Sequence, residues 1–152
     1  MTENNLITVE GYATALLTLL EIPGLIVDYI VVAEPEQHMQ TYGETYNPAA
    51  LNEMNTNIRY GTFYLSMIQG QLSNNPVLAT AGYNAGPNRA RRWQPDYQPI
   101  EADQYTETIP LLETRDYVKH VMTNATHYGV VLGQGAQSLI QRMKVIPMRS
   151  SP

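Results

Sequence analysis

The sequence predicts an all-α protein whose first third is irregular. After residue 47, apolar residues recur at intervals of three and four, the spacing that places them on one face of a helix. Helix start and stop signals, such as Asn47-Pro48 and Gly86-Pro87, divide this pattern into segments. With 152 residues, of which 43% are hydrophobic and 15% charged, the chain has the size and composition of one globular domain.

The beginning of the chain, residues 1–46, has the least regular pattern. Residues 10–20 are strongly apolar and predict a buried helix that Pro23-Gly24 ends. Residues 25–32 are rich in β-branched side chains, which favours a strand, although a second buried helical segment fits the same pattern. Residues 34–48 are polar and contain Pro and Gly, so they predict a surface loop.

The middle of the chain predicts helices that begin at recognisable caps. Asn47, followed by Pro48 at the first helical position, starts a pattern that continues to residue 72 as one helix or two. Another helix is expected to begin at Pro76 and to end at Tyr83-Asn84. The apolar positions of these helices are Leu51, Met54, Ile58, Phe63, Leu65, Ile68, Leu72, Val77, Leu78 and Ala81.

The last part of the chain predicts three further helices around one loop. Residues 89–93 predict a short helix, and residues 94–103, which include two prolines, predict a loop. Glu113 or Thr114 is expected to open the last long helix, and residues 138–143 form a final amphipathic piece. The long helix repeats at three and four through Tyr117, Val118, Val121, Met122, Ala125 and Tyr128.

Charge and composition exclude several classes of function. The net charge of -5 argues against nucleic acid or an anionic membrane as the main partner, since both require a basic surface. The absence of cysteine excludes disulfides and a thiolate nucleophile. The apolar residues 12–33 are interrupted by charges and a proline, so they do not form a continuous membrane-spanning stretch. Residues 1–5 contain an acidic residue, whereas a secretory signal begins with basic residues. We therefore expect neither a transmembrane helix nor a signal peptide in this chain.

The most informative stretch is residues 79–93, where a run of small residues leads into Tyr83-Asn84-Ala85-Gly86. A phenol hydroxyl and an amide at the end of a helix can line a cleft, and they suit a neutral, hydroxyl-rich ligand such as a sugar. The same residues also suit a plain helix end followed by a turn. The residue types leave both interpretations open.

Three motifs, in this order, resemble those of the soluble lytic transglycosylases, bacterial enzymes that cleave peptidoglycan glycan strands. Residues 57–65 resemble the family's Asn-Ile-x-x-Gly-Thr-x-Tyr-Leu helix. Residues 83–86 are similar to the end of its Ala-Tyr-Asn-Ala-Gly motif, with Gly82 in place of the first alanine. Residues 107–118 resemble its Glu-x-Ile-Pro-Phe-x-Glu-Thr-Arg-x-Tyr-Val segment, with Leu111 in place of the aromatic.

This resemblance implies a domain organisation. It covers the chain from about residue 55 to residue 149, so residues 47–152 are predicted to be the C-terminal portion of a lysozyme-like transglycosylase domain. Residues 1–46 do not match and are predicted to be a divergent or replaced segment. The resemblance also implies peptidoglycan as the partner, the periplasm or cell envelope as the location, and membership of a larger enzyme.

The resemblance further implies a groove for alternating N-acetylglucosamine and N-acetylmuramic acid units. Tyr83, Asn84 and Gly86 would line this groove, while Glu113 and Tyr117 would hold sugar or active-site groups in place. Independently of the family, two residues four apart on a helix project from the same face, so Glu113 and Tyr117 can act together. The alternative for Glu113 is a carboxylate stabilised by the helix dipole, by up to about 1 kcal/mol.

The mechanism that the resemblance implies uses one glutamate. It protonates the leaving glycosidic oxygen and then takes the proton from the C6 hydroxyl of muramic acid, which closes a 1,6-anhydro ring without water. Such a glutamate needs a raised pKa, which burial in an apolar pocket provides.

The sequence departs from the family at this catalytic position. The family's glutamate belongs to a Glu-Ser pair that precedes a Gly-Leu-Met-Gln motif, and this sequence contains neither. Gly24-Leu25 retains half of the second motif, and Glu10, followed by Gly11, lies near the expected position of the acid. Glu10 is therefore the catalytic candidate by spacing only. The alternative is a non-catalytic, peptidoglycan-binding remnant.

The remaining candidate residues predict no cofactor or metal site. The sequence has no phosphate-binding glycine loop, Walker pattern or nucleophile elbow. The histidines lack the spacing of metal ligands, so they are expected at a surface or interface; they are His38, His120 and His127. Arg115 is equally suited to anchoring a loop and to contacting substrate. A small basic cluster is better explained as a solvated helix end, or as a contact to the peptide carboxylates of a wall polymer, than as a nucleobase platform; it contains Arg89, Arg91, Arg92 and Trp93.

Overall fold

The computed structural model describes the backbone of residues 54–131 and 137–149, and the side chains of residues 61–130 and 137–149. The chain divides into two compact units, residues 1–66 and 67–152. The predictions made for residues 10–20, 25–32 and 34–48, and for the helix start at Asn47, fall outside the described residues.

Helix α1, Met54–Gln71, is continuous, so the described part of the pattern that ends at residue 72 forms one helix rather than two. In the first unit, Tyr64 and Leu65 are buried, and this burial raises the pKa of Tyr64. In the second unit, Ile68 and Leu72 continue the buried face. The apolar spacing thus identified the face of α1 that is removed from solvent.

Helix α2, Pro76–Ala85, begins where the sequence predicted. Asn75 is its N-cap: the side-chain oxygen accepts hydrogen bonds from the backbone N–H groups of Val77 and Leu78, both at 3.0 Å. The Asn75 amide nitrogen donates to the carbonyl of Val145, also at 3.0 Å. One buried side chain therefore starts the helix and attaches it to a segment 70 residues away.

Gly82 lets α2 approach the end of α1 closely. A Cβ atom at this position would lie 2.9 Å from the Leu72 side chain and 3.1 Å from that of Ile68. Both distances are shorter than ordinary carbon contacts, so a residue without a side chain fits best here.

A second glycine, Gly86, ends helix α2. Its φ of 93° is disfavoured for residues with a side chain, and its N–H donates to the Gly82 carbonyl at 2.8 Å. Helix α3, Pro87–Arg92, follows immediately and starts two residues before the predicted segment 89–93. Pro87 supplies the pre-set φ of a first helical position.

The predicted loop at residues 94–103 is wrong at its C-terminal end. Strand β1, Ile100–Glu101, and helix α4, Ala102–Thr108, begin inside it. The pairing of β1 with a distant strand fixes the first element, and local residue types do not reveal such pairing. Helix α4 is short and largely polar, and its buried residues are Ala102, Tyr105 and Thr106.

Helix α5, Leu112–Val131, confirms the last long helix and starts slightly earlier than Glu113. Four of the predicted apolar positions are buried, namely Val118, Val121, Met122 and Ala125. Helix α6, Leu139–Met143, lies within the piece predicted at residues 138–143, but only Met143 of its apolar side chains is buried, while Leu139 and Ile140 are exposed. Ser138 caps it through a reciprocal exchange of hydrogen bonds with Gln141.

The tail at residues 144–149 ties several elements of the second unit together. Strand β2, Val145–Ile146, pairs antiparallel with β1, and Ile100 lies opposite Ile146. The Gln94 side chain donates to the Pro147 carbonyl at 3.1 Å, and the Arg149 N–H donates to the Pro95 carbonyl at 2.8 Å. The proline-rich loop after α3 is therefore held at two points.

The all-α prediction is confirmed, with one short two-stranded sheet added to it. The largest fully buried side chains among the described residues are Tyr105, Ile68, Leu72, Leu78, Ile109, Met122, Ile146, Val77, Val118 and Val121. They form an apolar interior to which α2 and α5 together contribute five of these side chains. None of the helices in the described ranges has the length and apolar character needed to cross a membrane.

Candidate functional site

The structure brings two of the three sequence motifs into direct contact. The hydroxyl of Thr114, in the first turn of α5, donates a hydrogen bond to the side-chain oxygen of Asn84, in the last turn of α2. The two oxygens are 2.6 Å apart, at the short end of the range for such bonds. The end of α2 and the start of α5 therefore form one site, which we call the α2–α5 junction and define by residues 83–86 and 113–117.

The residues on the α2 side differ in accessibility. Tyr83 is buried, with 4% of its surface exposed, whereas Asn84 and Gly86 are half-buried. Helix α2 ends at Gly86, and the turn that follows lies at the protein surface. Asn84 and the backbone at Gly86 are thus the parts of the predicted groove wall that a ligand can reach most directly.

The α5 side presents a carboxylate and a phenol. Glu113 is exposed in the first turn, and Tyr117 is half-buried one turn later on the same face. Glu113 directly precedes Thr114, whose hydroxyl contacts Asn84 at the end of α2. A carboxylate in this turn also interacts favourably with the helix dipole.

Arg115 anchors the segment that leads into α5. Its guanidinium donates through Nε, at 3.1 Å, and through Nη2, at 2.8 Å, to the carbonyl oxygen of Ile109. Ile109 is fully buried, so this contact fixes the exposed segment at Pro110 and Leu111 relative to the core. Of the two roles that the sequence left open for Arg115, the structure contains the loop-anchoring one.

The basic cluster is partly engaged within the protein. Arg91 donates to the Asn88 side chain at 3.4 Å and to the Gln71 carbonyl at 3.3 Å, so it connects α3 with the end of α1. Trp93 is half-buried and ends α3. These contacts agree with the interpretation as a helix end.

Glu10, the catalytic candidate by spacing, lies outside the described residues, and so does His38. His120 and His127 are exposed on α5. Within residues 54–131 and 137–149, no group of three or more metal-ligating side chains could hold an ion.

The fold and the α2–α5 junction define a helical domain of the lysozyme-like class, and comparison with known proteins specifies it further. Residues 34–105 match the family model described as the transglycosylase SLT domain. The resemblance to the soluble lytic transglycosylases is therefore confirmed, and this part of the chain is related to them. The matched range begins at residue 34, and the domain boundary near residue 46 remains a prediction.

Individual relatives agree with the family match. The soluble lytic murein transglycosylase of Salmonella typhimurium is 43% identical over 88 residues, which are 57% of this chain and 14% of that protein. An inactive mutant of the lytic transglycosylase Slt from Pseudomonas aeruginosa superimposes with a TM-score of 0.62 at 39% identity, over 68% of this chain and 17% of that one.

The 70 kDa soluble lytic transglycosylase of Escherichia coli gives a TM-score of 0.59 at 31% identity, over 71% of this chain and 17% of that one. These solved structures support the helical fold. The chain spans only about a seventh of the curated relative described above, since it covers 14% of that protein's length.

Sequence reasoning missed one residue of the junction, Thr114. The sequence suggests this residue only as a helix start, whereas in the structure Thr114 is 1% exposed and its hydroxyl bonds to Asn84. The sequence contained one signal for this contact: a residue with a side-chain hydroxyl directly after Glu113, on the inward face at the start of an amphipathic helix. A pattern of residue types cannot show which distant side chain such a hydroxyl meets.

Proposed function

We propose that this chain contains part of a peptidoglycan lytic transglycosylase, which cleaves the bond between N-acetylmuramic acid and N-acetylglucosamine and forms 1,6-anhydro-N-acetylmuramic acid. The observation that supports it most directly is the 2.6 Å hydrogen bond between Thr114 and Asn84, which unites two motifs 30 residues apart. Residues that share a ligand must meet in space, and these motifs do. The family match and the names of the relatives support the same substrate class.

In the proposed reaction, one carboxylic acid gives its proton to the glycosidic oxygen as the bond to the muramic acid C1 breaks. The resulting carboxylate then removes the proton from the C6 hydroxyl, and the C6 oxygen bonds to C1. The acid is regenerated and no water is consumed. Glu10 is the candidate for this acid by spacing, while Glu113 is exposed and suits ligand contact better than proton donation from an apolar pocket.

The substrate-binding residues proposed for this reaction are Tyr83, Asn84, Gly86, Glu113 and Tyr117. A half-buried amide and a neighbouring carboxylate can bond the hydroxyl and acetamido groups of an amino sugar. Tyr117 offers a ring face of the kind that packs against the apolar face of a pyranose. We propose peptidoglycan as the partner and the periplasm or cell envelope as the place of action.

A second candidate function is a binding module that holds glycan without cleaving it. The observation that favours it is the absence from the sequence of both the Glu-Ser pair and Gly-Leu-Met-Gln. Such a module would keep the α2–α5 junction and lose only the acid. The two functions therefore predict the same binding but different products.

Incubation of the full chain with purified peptidoglycan distinguishes these possibilities. Muropeptides ending in 1,6-anhydro-N-acetylmuramic acid, identified by mass spectrometry, would support the enzyme. Co-sedimentation with insoluble peptidoglycan without soluble products would support the binding module. The absence of both soluble products and co-sedimentation would contradict both functions.

The Glu10→Gln variant tests the catalytic candidate under the same conditions. If Glu10 is the acid, anhydro products should disappear while co-sedimentation remains. Unchanged product formation would show that another group donates the proton.

A further inference from the structure

Charged residues are distributed unevenly along the second unit. Residues 67–95 contain three arginines, residues 137–149 contain two arginines and a lysine, and neither stretch contains Asp or Glu. These six residues, out of nine Lys and Arg in the chain, are Arg89, Arg91, Arg92, Arg142, Lys144 and Arg149. All 14 acidic residues lie elsewhere, so part of the molecule is basic although the net charge of the chain is -5.

Hydrogen bonds hold these two basic stretches side by side. Arg91 donates to the Gln71 carbonyl at 3.3 Å, and Lys144 donates to the Asn74 carbonyl at 3.4 Å, so both cations lie at the end of α1. Farther along, the loop after α3 is bonded to the tail at two points. Helices α3 and α6 and the tail therefore lie together, and we call the surface that these three elements form the basic face.

Acidic residues reduce the charge of the basic face only at its edges. Asp96 forms an ion pair with Arg149, and Glu101 lies opposite Val145 in the short sheet. Neither contact involves α3 or the lysine of the tail. The exposed basic residues of the face are Arg89, Arg92 and Lys144.

Large apolar side chains are exposed on the same elements. Ile140 is 72% exposed, Met148 is 52% exposed and Val145 is 47% exposed. Exposed apolar side chains beside cations are typical of proteins that bind an anionic membrane surface, because the cations meet the headgroups while the apolar groups enter the acyl boundary. A nucleic acid would use the charges alone and leave the aliphatic side chains in water.

We propose that the basic face binds the surface of an anionic lipid membrane, with lipid phosphates at Arg89, Arg92 and Lys144 and with Ile140 and Met148 between the headgroups. This interaction does not depend on the proposed function, since it uses no residue of the α2–α5 junction. Guanidinium groups form paired hydrogen bonds to phosphate oxygens. Each basic residue at an anionic surface raises the partition coefficient about fivefold, which corresponds to about 1 kcal/mol.

Co-sedimentation of the full chain with sucrose-loaded vesicles tests the proposal. One set of vesicles contains about one-third phosphatidylglycerol in phosphatidylcholine, and the other contains phosphatidylcholine alone. The chain should bind the anionic vesicles at least about tenfold more strongly than the neutral ones. Raising the salt from about 0.05 M to about 0.5 M shortens the range of the attraction about threefold, so it should weaken the binding.

Lysine substitutions provide a matched pair. Lys144→Gln should lower the partition coefficient about fivefold, and addition of Arg92→Gln should lower it about 25-fold in total. Lys119→Gln is the control, because Lys119 is also exposed but lies on α5, where it pairs with Glu107 at 2.7 Å. This control makes the same change in net charge and should alter the partition coefficient less than about twofold.

Replacement of one apolar side chain tests the contact with the acyl boundary. Ile140→Ser should lower the partition coefficient at least about threefold, because the isoleucine no longer leaves water on binding. Ile140 is largely exposed in the free chain, so the variant should fold, and thermal unfolding checks this for every variant.

Several results would overturn the proposal. They include no binding to the anionic vesicles, equal binding to both kinds of vesicle, and equal losses for Lys144→Gln and Lys119→Gln. If Ile140→Ser binds as strongly as the wild type, the face recognises a polyanion rather than a membrane. Dimers that form in analytical ultracentrifugation and disappear in Ile140→Ser, without vesicle binding, would assign the face to a second copy of the chain instead.

Discussion

Asn75 supports the site from the opposite end of α2, and its replacement by alanine should destabilise the second unit strongly. The side chain is 3% exposed and makes three hydrogen bonds, each of 3.0 Å. Loss of the cap costs about 0.5–2 kcal/mol, and the unpaired carbonyl of Val145 adds about 1–2 kcal/mol. The free energy of unfolding should therefore fall by about 2–4 kcal/mol, which lowers Tm by roughly 5–15 °C for a chain of this size.

Aspartate at the same position separates the two functions of Asn75. The Asn75→Asp carboxylate can still accept from the two N–H groups at the start of α2, and it interacts well with the helix dipole. It cannot donate to the carbonyl of Val145. We expect a loss of about 1–2 kcal/mol, between the wild type and the alanine variant.

Thermal and urea unfolding, followed by circular dichroism, measure both effects. Asn88→Ala is the matched control, because Asn88 is exposed and its hydrogen bond to Arg91 is 3.4 Å long. This control should change the free energy of unfolding by less than about 0.5 kcal/mol. An Asn75→Ala variant as stable as the control would refute the assigned role of Asn75.

Three further predictions concern single positions. Gly82→Ala, which restores the family's residue, should destabilise the folded chain by about 1 kcal/mol, because overpacking against Leu72 exceeds the gain in helix propensity. Thermal unfolding measures this effect, and an unchanged or raised Tm would contradict it. Burial raises the pKa of Tyr105, so the folded chain holds that proton more tightly than the unfolded one: stability is complete below about pH 10 and falls as the pH rises above it. Tyr105→Phe should flatten this fall in urea titrations at several pH values, and an unchanged pH dependence would contradict the effect of burial. Arg115→Lys should lower the free energy of unfolding, measured with urea, by about 1 kcal/mol, because an ammonium cannot reproduce the two-nitrogen contact to the Ile109 carbonyl. An unchanged free energy of unfolding would argue against the anchoring role.

Local signals in the sequence were sufficient for most helices. Asn75 and Pro76 determine the start of α2, and the spacing of apolar residues from Val118 to Ala125 determines the buried face of α5. Both signals act within one or two helical turns. The helix α4 was not predicted because its residues are mostly polar and its position depends on the pairing of Ile100 with Ile146. Such pairing is a property of the folded chain.

The sequence motifs predicted that the ends of two helices belong together, but not how those ends contact each other. The motif residues indicated that Asn84 and Glu113 belong together, and the bond between Asn84 and Thr114 places their helices in contact. Sequence could not show that Tyr83 is almost fully enclosed, nor that the Thr114 hydroxyl bonds to Asn84. Both properties depend on packing against residues far away in the chain.

The tail at residues 144–149 has a consequence for the order of folding. Its bonds to Asn75 and Gln94 span 70 and 53 residues, so each requires a long loop to close first. Helices α2 and α5 can form from neighbouring residues, whereas the tail can attach only to a partner that is already shaped. We therefore expect the attachment of the tail to be a late kinetic step, with substitutions in residues 144–149 accelerating unfolding more than they slow refolding.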